Sequence, residues 1–154
     1  MKINSNSQWT PESLTTFWIN QASRLLMRTF EQRLRPLNFG MAYLPVAVTL
    51  EEMGDMQQKQ LAEYARVEQP TMAALLVRME RDGIIVRKPH PVDKRSSYIS
   101  LTQQARVTLP QVKEKLLGVV EQATRGMSEN ECSALISSLQ QLINNLDSEN
   151  NGIC

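Results

Sequence analysis

The sequence predicts a mainly α-helical fold carrying one small β-hairpin. Three observations predict it. Apolar residues recur at three- and four-residue spacing through most of the 154 residues. One stretch, Ile84 to Leu101, departs from that spacing and returns with Ile99 and Leu101 alternating against Tyr98 and Ser100. Helix-starting and helix-stopping residues separate most of the periodic segments. At this length one domain is the default, with enough chain for a real core.

Residues 1–9 carry no pattern beyond Trp9 and read as disordered. Thr10-Pro11-Glu12 is a helix start, with an N-cap, proline at the first position and an acid near the positive helix end. Leu14, Phe17, Trp18, Ala22, Leu25, Leu26, Phe30 and Leu34 follow on one helix, which should end near Arg35-Pro36 because a residue before proline is pushed from helical geometry. This is more apolar surface than one contact face needs, so it serves either the core or a subunit interface. Asn38-Phe39-Gly40 turns the chain. A helix from Tyr43 to Met53 should bury Leu44, Ala47, Val48 and Leu50, with Pro45 tolerated in its first turn. Gly54-Asp55 closes it, and Asp55 is a candidate cap for the next helix.

Gln57 to Thr102 reads as two short helices and then the hairpin. Leu61, Ala62 and Ala65 share a face of the first, and Ala65-Arg66-Val67 is a turn. Gln69-Pro70 opens the second helix, whose buried stripe is Met72, Leu75, Leu76 and Met79, and Gly83 ends it. Off that stripe lie Thr71, Ala73, Ala74, Val77 and Arg78. A face so small and flat suits the DNA major groove, where alanine and valine meet thymine methyls and Arg78 or Thr71 reach base edges or phosphates. The hairpin tip, Arg87 to Arg95, is basic, and its two prolines keep it extended and out of a larger sheet.

These residues resemble the winged helix-turn-helix of the MarR family of bacterial transcription regulators. The likeness is carried by Gln57 and Leu61-Ala62 in the first helix, Pro70-Thr71 at the start of the second, Met79-Glu80, Gly83, Arg87, Asp93-x-Arg95 and Leu101-Thr102. It implies a mainly α fold with a small β-hairpin wing. A module at 41–101 would be flanked by dimerisation helices at 10–36 and 102–147, all within one domain spanning 1–154. It also implies a homodimer on double-stranded DNA, with reading helices about one turn, ~34 Å, apart and a near-palindromic operator. Repression is the commoner family behaviour.

The chain continues as helices. Thr102 should cap one that runs along Ala105, Leu109, Val112, Leu116 and Val119-Val120 to Gly126, with a kink or break at Pro110. Ser128 and Glu131 form a capping box with Met127 and Cys132 at the staple positions, so Cys132 reads as a buried structural thiol. The last helix carries Leu135, Ile136, Leu139, Leu142, Ile143 and Leu146, and 147–154 should fray.

Net charge is only +1. Its distribution is uneven: residues 57–101 hold eight Lys/Arg against five acids, a local +3 that leaves −2 for the remainder. A basic module on a mildly acidic body suits phosphate contact, although ordinary solvated charge would explain it more simply. Two cysteines, Cys132 and Cys154, make no disulfide framework, and no apolar run spans a membrane. The N-terminus lacks a signal-peptide core, so a cytoplasmic bacterial protein is expected.

With the resemblance, the candidate DNA-contacting residues are Gln69, Thr71, Ala73, Ala74, Arg78, Asp93, Lys94 and Arg95. Arg95 would enter a minor groove while Asp93 holds its guanidinium. Lys59, Arg66, Arg87 and Lys88 are candidate phosphate contacts. Arg66 stands where the family usually has glycine, in a turn that would strain it. Ala74 stands where many relatives carry a polar residue, which leaves fewer hydrogen bonds to bases. Relatives bind small aromatic or phenolic effectors beside the dimer helices, and Trp18, Arg24, Arg28, Phe39 and Tyr43 could line such a cleft, or simply be core. His90, alone between two prolines, should have a surface role or a phosphate contact and not a catalytic one, and no metal site or cofactor is expected. The rival is a winged helix that binds protein and not DNA. An enzyme is disfavoured, since no nucleophile–base pair or glycine-rich phosphate loop is present.

Overall fold

The computed structural model describes residues 10–93 and 95–150. The expectations for residues 1–9, Lys94 and Cys154 lie outside these. The described chain forms six α-helices and a three-stranded sheet. It divides into two compact units, one ending at Val119 and the other starting at Val120.

The first long helix starts later than its sequence signal. Pro11–Ser13 make a single 3-10 turn, Leu14 is extended, and α1 is Thr15–Leu34. The Trp18 indole donates to the Glu12 carbonyl at 3.0 Å and ties the turn to the helix. Arg35, before Pro36, stays helical (φ −50°, ψ −45°), so the chain runs on as a 3-10 turn. It stops only at Asn38 (φ 50°), a residue type that tolerates left-handed backbone. Of α1 only Leu34 is buried.

After a 3-10 turn at Met41–Tyr43, α2 is Leu44–Met53, with Pro45 in its first turn. Its buried residues are Val46, Ala47 and Leu50, whereas Leu44 and Val48, expected inside, are half-buried. Asp55 does not cap the next helix. Met56–Gln57 form a two-residue strand β1, and Gln57 caps α3 (Gln58–Ala65), its N–H donating to Gln60 Oε1 at 3.0 Å. Asp55 instead faces Ser100 and Lys88, which hold its carboxyl below the usual range in that order.

The second short helix, α4, is Gln69–Arg81. Met72, Leu76 and Met79 are fully buried, at four- and three-residue spacing, while Leu75 is only half-buried. Each such side chain contributes about 1.5–3 kcal/mol relative to exposure. Strand β2 is Ile85–Pro89 and β3 is Ser97–Leu101. The order is β1-β3-β2, antiparallel throughout, with Met56 opposite Ile99 and Ile85 opposite Leu101. Pro89 sits on the edge strand, where its missing N–H costs no ladder bond. Ile99 and Leu101 face the core as expected, but Ser100 is also fully buried. Val86 is its partner across the ladder, and the Asp55 carboxylate lies beside it.

Thr102 joins the end of the sheet to the next helix. Its hydroxyl donates to the Gly83 carbonyl (2.6 Å) and accepts from the Ala105 N–H (3.0 Å). The helix α5 is Gln103–Ala123, one uninterrupted element containing Pro110, with no break there. Pro110 is exposed, as is Arg106, whose carbonyl loses its helical donor to the proline, so water can satisfy it. Ala105, Leu109 and Val112 complete the core begun by Leu34, Leu50, Leu61 and Met72.

In the second unit, Ser128 Oγ accepts from the Glu131 N–H (3.3 Å), and the Ser128 N–H donates to Glu131 Oε2 (2.7 Å). That capping box starts α6, Glu129–Asn150, which is helical through 147–150 of the stretch expected to fray, the rest of which lies outside the described residues. Cys132 is a free thiol and half-buried, not buried. Leu135, Ile136, Ile143 and Leu146 are about half exposed.

Candidate nucleic-acid interface

The solvent side of α4 is built by what its other side buries. With Met72, Leu76 and Met79 inward, helical geometry turns Thr71, Ala74, Val77 and Arg78 outward, and all four are exposed. Val77 is 60% exposed and presents an apolar side chain on this face. Ala73 is half-buried. Gln69 is exposed at the helix start, where Gln58 Nε2 donates to its Oε1 at 3.4 Å. Beside this face lies a groove of about 650 Å³, lined by Ala42, Val67, Pro70, Thr71, Ala74, Leu75 and Arg78.

Arg78 does not swing freely. Its guanidinium carbon lies 5.8 Å from the centre of the Tyr43 ring, within cation–π range. The Tyr43 hydroxyl donates to Asp82 Oδ2 at 2.6 Å, and Arg81 Nε donates to Asp82 Oδ1 at 2.8 Å. Burial, then the Asp82 carboxylate, push the Tyr43 hydroxyl up. Arg81, then Tyr43, hold Asp82 below the usual carboxylate range. One tyrosine before α2 thus props the arginine and fastens the end of α4.

The α3–α4 turn is made by Arg66 in left-handed backbone, φ 53° and ψ 44°. Its side chain is exposed, as is that of Lys59. Arg87 and Lys88 are engaged within the chain: Arg87 Nε lies 3.2 Å from Glu80 Oε2, and Lys88 Nζ lies 3.4 Å from Asp55 Oδ2. They brace the wing against α4 and against the segment before β1.

At the wing tip Asp93 does not hold the Arg95 guanidinium. Its Oδ1 accepts the Arg95 backbone N–H at 2.9 Å, leaving the exposed guanidinium without an ion-pair partner among the described residues. A carboxylate two residues upstream reaches a backbone N–H more easily than the end of a long side chain. The role of His90 escaped the sequence reading. Its Nδ1 accepts the N–H groups of Val92 (3.1 Å) and Asp93 (2.9 Å), and its ring stacks on Tyr98 with centroids 4.9 Å apart. Histidine followed by proline and two residues with free N–H groups was the available signal.

The residues expected to line an effector cleft are not brought together. Trp18, Arg24 and Arg28 are exposed on α1, whereas Phe39 and Tyr43 are buried, ring against ring at 5.8 Å. The last two line a cleft of about 230 Å³ with Glu31, Arg35, Asn38 and Asp82. No group of three or more His, Cys, Asp or Glu among the described residues is placed to hold a metal ion, and no helix is long and apolar enough to cross a membrane.

Known proteins match the same parts. The MarR family model matches residues 46–97. The uncharacterised HTH-type transcriptional regulator YwoH of Bacillus subtilis (strain 168) is 30% identical over 104 residues, 68% of this chain and 75% of that protein. A mutant of E. coli MarR complexed with operator DNA superposes with a TM-score of 0.73 at 20% identity, covering 88% of this chain and 99% of that one. The transcriptional repressor CouR, bound to a 23-mer DNA duplex, gives 0.74 at 22% identity, covering 93% and 99%. At such identities the two structures speak for the fold.

Proposed function

The chain belongs to the MarR family of transcriptional regulators, and from that premise we propose that it is a DNA-binding repressor. It acts as a homodimer on a near-palindromic operator and is released by a small aromatic or phenolic effector. One observation carries the DNA-binding reading: the exposed face of α4 and the Arg95 guanidinium, which has no ion-pair partner among the described residues, stand on the same small module, the first backed by buried side chains and the second on a hydrogen-bonded backbone. Thr71, Ala74 and Val77 offer methyl groups to the major groove, Arg78 offers a fork for a guanine edge, and Arg95 offers charge to the minor groove. That MarR and CouR bear this fold in complexes with DNA supports the reading.

The apolar residues bare on α1 and α6 supply what a second copy would cover. The cleft beside Tyr43 supplies a place for the effector. A ligand there contacts Tyr43 and Asp82, the two residues that steady Arg78 and the end of α4. It weakens DNA binding to the extent that it prefers the chain released from DNA.

The test is selection of bound sequences from a random duplex pool with the purified protein. A two-fold symmetric consensus and steep salt dependence are expected. Arg95→Ala should weaken binding to every sequence, and Arg78→Ala should relax choice at particular positions. An asymmetric or absent consensus, or full operator binding by Arg95→Glu, would overturn the proposal in favour of a protein-binding winged helix.

A further inference from the structure

We propose that His90 is a positioning residue for the wing arginine, with its ring nitrogen acting as the internal template on which the tip is folded. The proposal rests on the DNA-binding reading above. The tip joins Pro89 to Ser97 across the two strands. Pro91 has no N–H, so the first donors available after His90 are those of Val92 and Asp93. Both point at His90 Nδ1, at 3.1 and 2.9 Å. Two donors on one nitrogen require that Nδ1 carry no proton, which leaves the hydrogen on Nε2. Tyr98, paired with Lys88 in the ladder, fixes the plane of the imidazole by stacking on it at an interplanar angle of 21°. The His90 N–H closes the loop on the Ser96 carbonyl at 3.2 Å.

The second half of the tip is built on the first. Asp93 has its N–H fixed by His90, while its carbonyl accepts the Ser96 N–H at 3.1 Å. With its backbone held at both ends, its carboxylate reaches the Arg95 N–H at 2.9 Å. The chain of support therefore runs from Tyr98 to His90, to Asp93, to the backbone of Arg95. Nothing in it touches the Arg95 guanidinium, which stays available. His90 acts through Asp93, and its own contact with DNA is not required.

The geometry separates the acceptor from the ring. Asparagine places Oδ1 one bond beyond Cγ, where histidine has Nδ1, and commonly accepts N–H groups two and three residues onward. Phenylalanine keeps a ring for Tyr98 and has no acceptor. The experiment measures affinity for the selected symmetric duplex by fluorescence anisotropy across a salt series. It compares the unmodified chain, His90→Asn, His90→Phe, Arg95→Ala and the double variant with His90→Phe and Arg95→Ala, with thermal unfolding as the check on folding. His90→Phe should bind about five- to tenfold more weakly, the size expected for losing one to two net hydrogen bonds of order. His90→Asn should stay within about twofold of the unmodified chain. In the Arg95→Ala background, His90→Phe should change affinity less than about twofold, because the group it positions is gone. Normal binding by His90→Phe, failure of His90→Asn to rescue, or full additivity with Arg95→Ala each overturns the positioning role alone. No duplex binding by the unmodified chain overturns the DNA-binding reading, and this one with it.

Discussion

Replacing Arg66 by glycine should make the fold more stable and its hold on DNA weaker. Arg66 sits at φ 53° and ψ 44°, where a side chain crowds the following carbonyl. Left-handed backbone costs an L-residue about 1–2 kcal/mol. Glycine escapes that cost but loses about 0.5–1 kcal/mol more chain entropy on folding. The net gain is therefore up to about 1.5 kcal/mol, a rise in Tm of up to about 6 °C for a chain of this size. No side-chain bond among the described residues offsets it: Arg66 is exposed, and its backbone N–H donates to the carbonyls of Ala62 and, at 3.2 Å, Glu63. The measurement is urea unfolding with Arg66→Ala as reference. Alanine keeps the strain and removes the charge, so the difference between the two variants isolates the backbone. Both variants should lose the same affinity for DNA, with the salt slope reduced by about one. A glycine variant no more stable than the alanine one would refute the strain argument. Unchanged salt slopes would refute the phosphate contact.

Leu76→Ala, at a fully buried position beneath the reading face, should cost about 2–5 kcal/mol in chemical denaturation. Tyr43→Phe removes the hydroxyl that donates to Asp82 and leaves the ring under Arg78, so stability should fall by about 1–2 kcal/mol while sequence choice at the Arg78 positions is retained. Ser128→Ala should destabilise the second unit by about 1 kcal/mol, measured as amide-exchange protection in α6. Glu131, held below the usual carboxyl range by the Ser128 N–H and then its hydroxyl, and Asp82, held down by Arg81 and then Tyr43, contribute stability that is complete above that range. It is lost as pH falls through their lowered values. Thermal unfolding between neutral pH and about pH 3 should show that loss, and Tyr43→Phe should reduce the share belonging to Asp82.

The sequence carried the helices wherever an apolar stripe coincided with a start or stop signal. Met72, Leu76 and Met79 with Pro70 and Gly83 made α4 legible, and Ser128 with Glu131 made the start of α6 legible. Shorter devices were hidden. Two residues cannot show a period, so β1 looks like the beginning of α3, and the alternation of β3 puts Ser100 on a solvent face although it is buried. Leu14 breaks α1 from its first turn through backbone angles that a capping pattern does not encode. The candidate interface was legible by residue type and not by partner. Arg78, Thr71 and Ala74 lie on the face expected of them. Arg87 and Lys88, candidate phosphate contacts by residue type, each pair with an acid distant in sequence, Glu80 and Asp55. Asp93 chose a backbone N–H over a guanidinium because local geometry favours the nearer donor.

The hydroxyl of Thr102 clasps the carbonyl just past α4 and the first turn of α5 within one pair of bonds. At that joint α4 and α5 cannot be moved apart without breaking the clasp. A shift of the start of α5 therefore bears first on the end of α4, through bonds worth about 1 kcal/mol each.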